Sequence, residues 1–403
     1  MKKSIYLVSV LLAFFIFHNL TVEAKGKKGK KESGYQFTNK IEIPATSVKD
    51  QASSGTCWSY ATTSFIESEI IRMGKGEHDL SEMFFVRYAY PQKAIKYIRY
   101  QGAANFSEGG QAHDVFNIIK EYGMMPEEVY SGLNYGFDYH RHGELVNVMT
   151  GVLENSLENQ NGFTGKYIDV INAILDIYLG EMPQKFTYNE SEYTPKTFAN
   201  ELGIVPDDYI EFTSYSIYPF NIQVDLEIPD NWSHDKYYNV GIDDLMAVIN
   251  NAFANGYSVN WDGDVSEQGF SHRKGVAIVP ENNPKEMDDS ERLKWESLNK
   301  KERKKMLYDF NEPRKEMKID QEIRQKTFDR FKTTDDHLMH LIGTATDQNG
   351  TLYYITKNSW ADDSNSKGGK LYMSESFVKL KTIAIQVHKN AIPAGIKTKL
   401  NIE

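Results

Sequence analysis

A single cysteine, Cys57, stands in a chain of 403 residues. No intrachain disulfide can staple such a chain and no four-cysteine zinc site can nucleate it, so its fold must come from burying a core. The length allows this, with room for about two to three lobes at roughly 100–200 residues each. Composition agrees: 40% hydrophobic and 25% charged residues describe an ordinary globular chain. The formal charge of −10 disfavours a grip on phosphate backbones, so no nucleic-acid partner is expected.

The first residues read as an export signal. Lys2 and Lys3 precede an almost wholly apolar run from Ile5 to Phe17, and Val22, Glu23 and Ala24 end on a small residue. The run falls short of the roughly 20 residues that a spanning helix needs. Residues 1–24 are therefore expected to be cleaved, leaving no membrane segment and a periplasmic or extracellular product of charge −11. Residues 25–40, rich in Gly and Lys at their start, read as a basic flexible linker.

Order is expected from about Ile41. Trp58, Ala61, Phe65, Ile66, Ile70 and Met73 recur mostly three and four apart, which predicts a helix from Cys57 to Met73, stopped by Gly74. Further helical stretches are 112–122, 167–179, 195–202 and 243–255. Strand-like runs follow at 257–262, 338–344, 352–357, 370–373 and 383–388. Helices early and strands late predict an α+β chain of two lobes. The helical lobe covers about 50–135, an insertion about 135–230, and the β-rich lobe about 235–400. Within the last, 283–329 is densely charged and reads as an exposed helical excursion.

Chemistry centres on Gln51-Ala52-Ser53-Ser54-Gly55-Thr56-Cys57-Trp58-Ser59. A cysteine at a helix start feels unpaired backbone N–H groups and the positive end of the helix dipole, both of which favour the nucleophilic thiolate. Gln51 can bring an amide to an oxyanion beside the Cys57 N–H. A thiolate needs an imidazole, and the imidazole an orienter. His337 and His340 both enter an apolar strand; being three apart they point to opposite faces, so one of them can face a cleft. Asn358 can accept the second imidazole N–H, and Trp360 can shield that bond. Asp335 and Asp336, adjacent on a strand, cannot share one substrate bond. His140, Arg141 and His142 lack supporting carboxylates or cysteines and read as a surface loop, so no metal site is expected.

These pieces, in this order, resemble the papain superfamily of cysteine peptidases, and most closely its bleomycin hydrolase and aminopeptidase C branch. The branch is suggested by the stretch from Gln51 to Ser59, by Leu80-Ser81-Glu82, by Ser107-Glu108-Gly109-Gly110-Gln111 and by Tyr122-Gly123. Gln321 to Gln325, Thr333 to His337 and Asn358-Ser359-Trp360 add to it. The resemblance implies a papain-like two-lobe fold with large insertions. It implies Cys57 as nucleophile, Gln51 as oxyanion donor, His337 as base and acid, and Asn358 as its orienter, with no cofactor. His340 then becomes a core residue. Gly109 and Gly110 would pair with an extended peptide substrate, beside Asp336 and Trp360.

Peptides are thus the expected partners, and the branch also implies a possible homo-oligomer, a hexamer. Its C-terminal arm enters the cleft and pairs its carboxylate with the substrate α-ammonium, which implies aminopeptidase activity. Here Lys389 to Glu403 look short for such an arm, so papain-like endopeptidase activity is the alternative; a catalytically inactive peptide-binding module is a second. Two departures stand out: Ser54 replaces the disulfide cysteine of papain-type secreted enzymes, and Ala361 stands where glycine is usual.

Overall fold

The computed structural model describes residues 34–159 and 162–403. The expected signal peptide and the basic run up to Ser33 therefore lie outside the described residues. Order begins earlier than Ile41, however. β1 (Phe37–Glu42) pairs antiparallel with a later strand, and the Phe37 ring stacks 3.9 Å from Tyr372. The linker reading of residues 37–40 is corrected: the Gly and Lys bias belongs to residues 25–31, and Phe37 supplies an aromatic anchor after it.

The helical lobe is built on α1 (Cys57–Arg72), which is buried without a break from Trp58 to Ile70. A helix enclosed on all sides must satisfy its polar groups, and here they are mostly short. The Ser59 hydroxyl donates to the Glu82 carbonyl, and the Asn260 amide donates to Thr62. α2 (Glu82–Arg99) starts at Ser81, whose hydroxyl accepts from the Phe84 N–H. α3 (Ala112–Tyr122) follows. α4 (Gly143–Glu158) and α5 (Tyr167–Leu179) bury Leu145, Met149 and Leu153 and Ile171, Leu175 and Leu179, spaced four apart, in the same core. The hairpin β2 (Phe186–Tyr188) and β3 (Ser191–Tyr193) leads to α6 (Pro195–Leu202).

The second lobe is one sheet. β4 (Tyr209–Thr213), β5 (Ile222–Asp225) and β6 (Lys236–Asn239) precede α7 (Ile242–Ala254). β7 (Val259–Gly263), β8 (Phe270–Ser271) and β9 (Val276–Ala277) follow. After the charged excursion come β10 (His337–Asp347), β11 (Leu352–Lys357), β12 (Lys370–Ser374), α11 (Glu375–Lys381), β13 (Thr382–His388) and α12 (Ala394–Leu400). The order is β5-β6-β4-β13-β7-β10-β11-β12-β9-β8, with β1 on the far half of β10. β10 is the seam of the molecule. Leu338 and His340 face α1, whereas Met339 and Leu341 face the sheet lobe's own core.

The excursion folds as α8 (Asp289–Ser297), α9 (Lys300–Leu307) and α10 (Gln321–Phe328). Its exposed reading holds for α8 and α9, which bury little beyond Trp295 and Leu307. α10 departs from it: Arg324 is fully buried, donating to the Ser214 and Lys379 carbonyls at 2.7 and 2.9 Å with its guanidinium over Tyr215.

Candidate active site

Cys57 is the first residue of α1, and the Leu338 backbone N–H of β10 faces its sulfur. His337, next to Leu338, is buried. Its Nε2–H donates to Asn358 Oδ1 at 2.7 Å. The same oxygen accepts the Ser359 N–H at 2.8 Å, which identifies the atom as oxygen and the ring nitrogen as the donor. His337 Nδ1 is thereby left with its lone pair. The Trp360 ring lies 4.8 Å from the His337 ring and covers the bond from solvent.

Gln51 is buried beside them. One amide N–H donates to the Ser54 carbonyl at 2.7 Å, and Oε1 accepts the Ser359 hydroxyl at 2.6 Å. The second amide N–H remains to donate to a bound oxyanion. His340 does not join the group: it is fully buried, with Nδ1 2.9 Å from the Ser64 hydroxyl of α1.

Sequence reasoning missed His272. It lies in the 3₁₀ turn His272–Lys274, its Nδ1 accepts from Asn358 Nδ2 at 3.2 Å, and its ring meets Trp360 edge-on at 4.9 Å. A polar loop offers no periodicity that would have singled it out.

Several surrounding groups oppose the thiolate that the helix start favours. Burial of the sulfur pushes the Cys57 thiol up to about 12 although the residue is partly open to the cleft; Leu338 N–H opposes this, but Asp230, Asp262 and Asp335 reinforce it. Burial likewise lowers His337 to about 4, against the Asn358 hydrogen bond. Both shifts favour the uncharged form of each group. The helix start was legible in the sequence; the surrounding carboxylates were not.

The four other substrate-site candidates scatter. The Gly109 carbonyl accepts from Lys93 Nζ, and an added Cβ at Gly109 would strike the Asp230 carboxylate at 2.0 Å. An added Cβ at Gly110 would meet Asp114 Oδ2 at 2.8 Å and the Trp58 ring at 3.0 Å. Both glycines are required by close packing; Gly110 is buried and Gly109 half-buried beside Asp230. Asp336 is exposed and accepts the Val265 N–H at 3.2 Å, so its carboxylate caps a loop. Of these four, Trp360 alone touches the His337 group.

The surface-loop reading of His140 and His142 is corrected. Both are buried, with ring centroids 5.7 Å apart and His142 Nδ1 3.1 Å from the Tyr90 hydroxyl. Burial lowers them to about 4 and about 3, because their loop packs on Gln51–Ser54 through Ser53 N–H to the His140 carbonyl. Among the described residues no cluster of three or more His, Cys, Asp or Glu could hold a metal.

Residues 36–167, which include Gln51, Cys57, Gly109 and Gly110, match the papain family cysteine protease profile. Cysteine proteinase 1, mitochondrial, of Saccharomyces cerevisiae is 26% identical over 123 residues, 26% of each chain. The match with this relative thus spans about a quarter of its length. Aminopeptidase G of Lactobacillus delbrueckii subsp. lactis is 20% identical over 391 residues, covering 86% of this chain and 82% of the relative. The crystal structure of PepW from Lactobacillus rhamnosis HN001 superposes with a TM-score of 0.69 at 18% identity, over 90% of this chain and 84% of the other. That likeness speaks to the fold. With helical and sheet lobes meeting along α1 and β10, this chain has the papain-like peptidase fold, and over residues 36–167 it is similar to the papain family of cysteine proteases.

Proposed function

We propose that this chain is an exported thiol peptidase, and that it removes residues from the amino terminus of peptides. The observation that carries the reading is the 2.7 Å bond from His337 Nε2–H to Asn358 Oδ1, made where Leu338 faces the Cys57 sulfur. That bond leaves His337 Nδ1 as the base. In the reaction His337 takes the Cys57 proton as the sulfur attacks the scissile carbonyl. The Cys57 N–H and the remaining Gln51 N–H hold the oxyanion. His337 then gives its proton to the leaving amine, the C–N bond breaks, and a thioester remains on Cys57. Water attacks that thioester with His337 again as base, which returns the free thiol. Asn358 keeps the ring turned throughout, and His272 holds Asn358 from behind.

The aminopeptidase assignment is supported by the long match to aminopeptidase G and by the Asp230 segment lying over Gly109, where a longer chain would have to run. Export is read from the Lys2, Lys3 and Ile5–Phe17 pattern, and N-terminal sequencing of the protein purified from its natural source should begin near Lys25. Amino-acyl coumarin amides, each offered free and N-acetylated, test the activity. The free amine should be cut and the acetylated form resisted. Equal rates would make the enzyme an endopeptidase.

A further inference from the structure

Three carboxylates line the cleft beside Cys57. Asp262 is the cross-strand partner of Leu338, the residue whose N–H faces the sulfur, so their side chains share one face of the sheet. Asp335 precedes His337 by two residues; its Oδ1 accepts from Gln111 Nε2 at 3.1 Å and its Oδ2 from the Asp230 N–H at 3.3 Å. Asp230 lies against Gly109, with Oδ1 accepting from Asn105 Nδ2 at 2.9 Å. Asp230 and Asp335 are half-buried, whereas Asp262 is 3% exposed.

Asp262 is the informative one. Neither of its oxygens completes a well-formed hydrogen bond, and the polar groups that approach it are the Gln111 amide and the Asp335 carboxyl. A buried carboxylate without such a bond, beside two more, is among the costlier arrangements a protein can hold. Lys93 acts on Asp230 while donating to the Ser107 and Gly109 carbonyls. The chamber is short of positive charge.

Its outer wall decides what can bring that charge. Residues 226–235 cross the cleft as a strap. Trp232 Nε1 donates to Asp114 Oδ2 at 2.9 Å, the Asn231 amide binds the Leu226 and Asp235 carbonyls, and Asn105 Nδ2 also reaches the Pro229 carbonyl at 3.2 Å. A peptide whose carbonyl sits at Cys57 would meet Asp230 of this strap if it ran on beside Gly109.

We infer that Asp262, Asp335 and Asp230 form the binding site for a primary ammonium of the substrate, and that the strap makes it the α-ammonium of the residue being removed. The inference rests on the aminopeptidase reading above and names the groups that enforce it. Bound there, the cation gives Asp262 a well-formed partner. Burial and mutual repulsion hold these carboxyls above their usual range; a bound cation favours their ionised forms and offsets the negative charge that opposes thiolate formation at Cys57, so the correct substrate helps to activate its own nucleophile.

The test uses the full chain and its Asp262→Asn, Asp335→Asn and Asp230→Asn variants with alanyl, N-acetyl-alanyl and N-acetyl-lysyl-alanyl coumarin amides. Wild type should prefer the free amine over both acetylated substrates. In Asp335→Asn or Asp262→Asn that preference should collapse by about 50-fold, mainly through KM, as expected for losing a charge-assisted hydrogen bond. Labelling of Cys57 by a neutral thiol-directed epoxide should persist in these variants and quicken, since a negative neighbour is gone. Removal of Asn401–Glu403 should leave the preference as it was, because Ile396 and Leu400 anchor α12 in the sheet-lobe core and Lys399 ties it to Asp244 of α7 at 2.6 Å. An unchanged preference in all three Asn variants overturns the inference. So does cleavage of the N-acetyl-lysyl substrate as fast as the free alanyl one, which would assign the chamber to a side-chain ammonium. Wild type that neither labels nor turns over any substrate sinks the peptidase reading itself, which is a separate result.

Discussion

Ala361 holds φ +62° and ψ +151°, a backbone region that is nearly glycine's alone. It keeps that shape because its N–H reaches the Lys49 carbonyl and the Ser364 hydroxyl donates to its own carbonyl. Ala361→Gly relieves a strain of about 1–3 kcal/mol at a smaller entropic cost. The urea midpoint should therefore rise, by about 1 kcal/mol in stability. A second residue-scale expectation separates the two strand histidines. His337→Ala should lose about 1000-fold or more in kcat, His340→Ala far less, and Asn358→Ala an intermediate amount, as measured on a free-amine amide. If His340→Ala is instead the dead variant, the base assignment must move. The pH profile gives a third. Burial depresses His337 to about 4, so the base stays unprotonated well below the ordinary histidine range. The acid limb of kcat/KM should fall near pH 4, as the ring gains a proton it must not carry; a limb at 6.5 would mean a solvated imidazole.

Among the elements, the strap at 226–235 is held to α3 by Trp232, and Trp232→Phe removes the N–H donated to Asp114 while keeping the ring. Loss of that bond should weaken the strap locally by about 2 kcal/mol, read as faster amide exchange across residues 226–235 and faster cleavage of N-acetylated substrates. Unaltered exchange would show that the strap has other moorings. Elements carried by periodicity were legible in the sequence: α1 ends at Arg72, one residue short of expectation, and β11 falls at Leu352–Lys357 as read. Those carried by distant partners were not. β1 has a pattern too short to separate from the basic run before it, and its reason to be a strand is β10, some 300 residues away. α10 looks like its charged neighbours until Arg324 meets two carbonyls and Tyr215. Local sequence reports helical faces well and reports long-range partners poorly.

Across the whole molecule, the cleft lies where α1 meets β10, and the catalytic candidates come from distant stretches of chain: Gln51 and Cys57 from one lobe, His337 and Asn358 from the other. Their grouping was legible because residue types and order carried a resemblance. The acidic chamber was not, because its members are spread over the strap, β7 and the approach to β10. Asp262 fits the alternation of Val259-Asn260-Trp261-Asp262, and what departs from a local rule is that its polar face is buried. Such violations are where function is to be sought. The account turns on Cys57 as nucleophile, and one comparison tests that most directly: kcat/KM of wild type and Cys57→Ala on a free-amine amino-acyl coumarin amide. The account predicts turnover at the uncatalysed background in the variant, with its unfolding midpoint little changed. Undiminished hydrolysis by Cys57→Ala would contradict it.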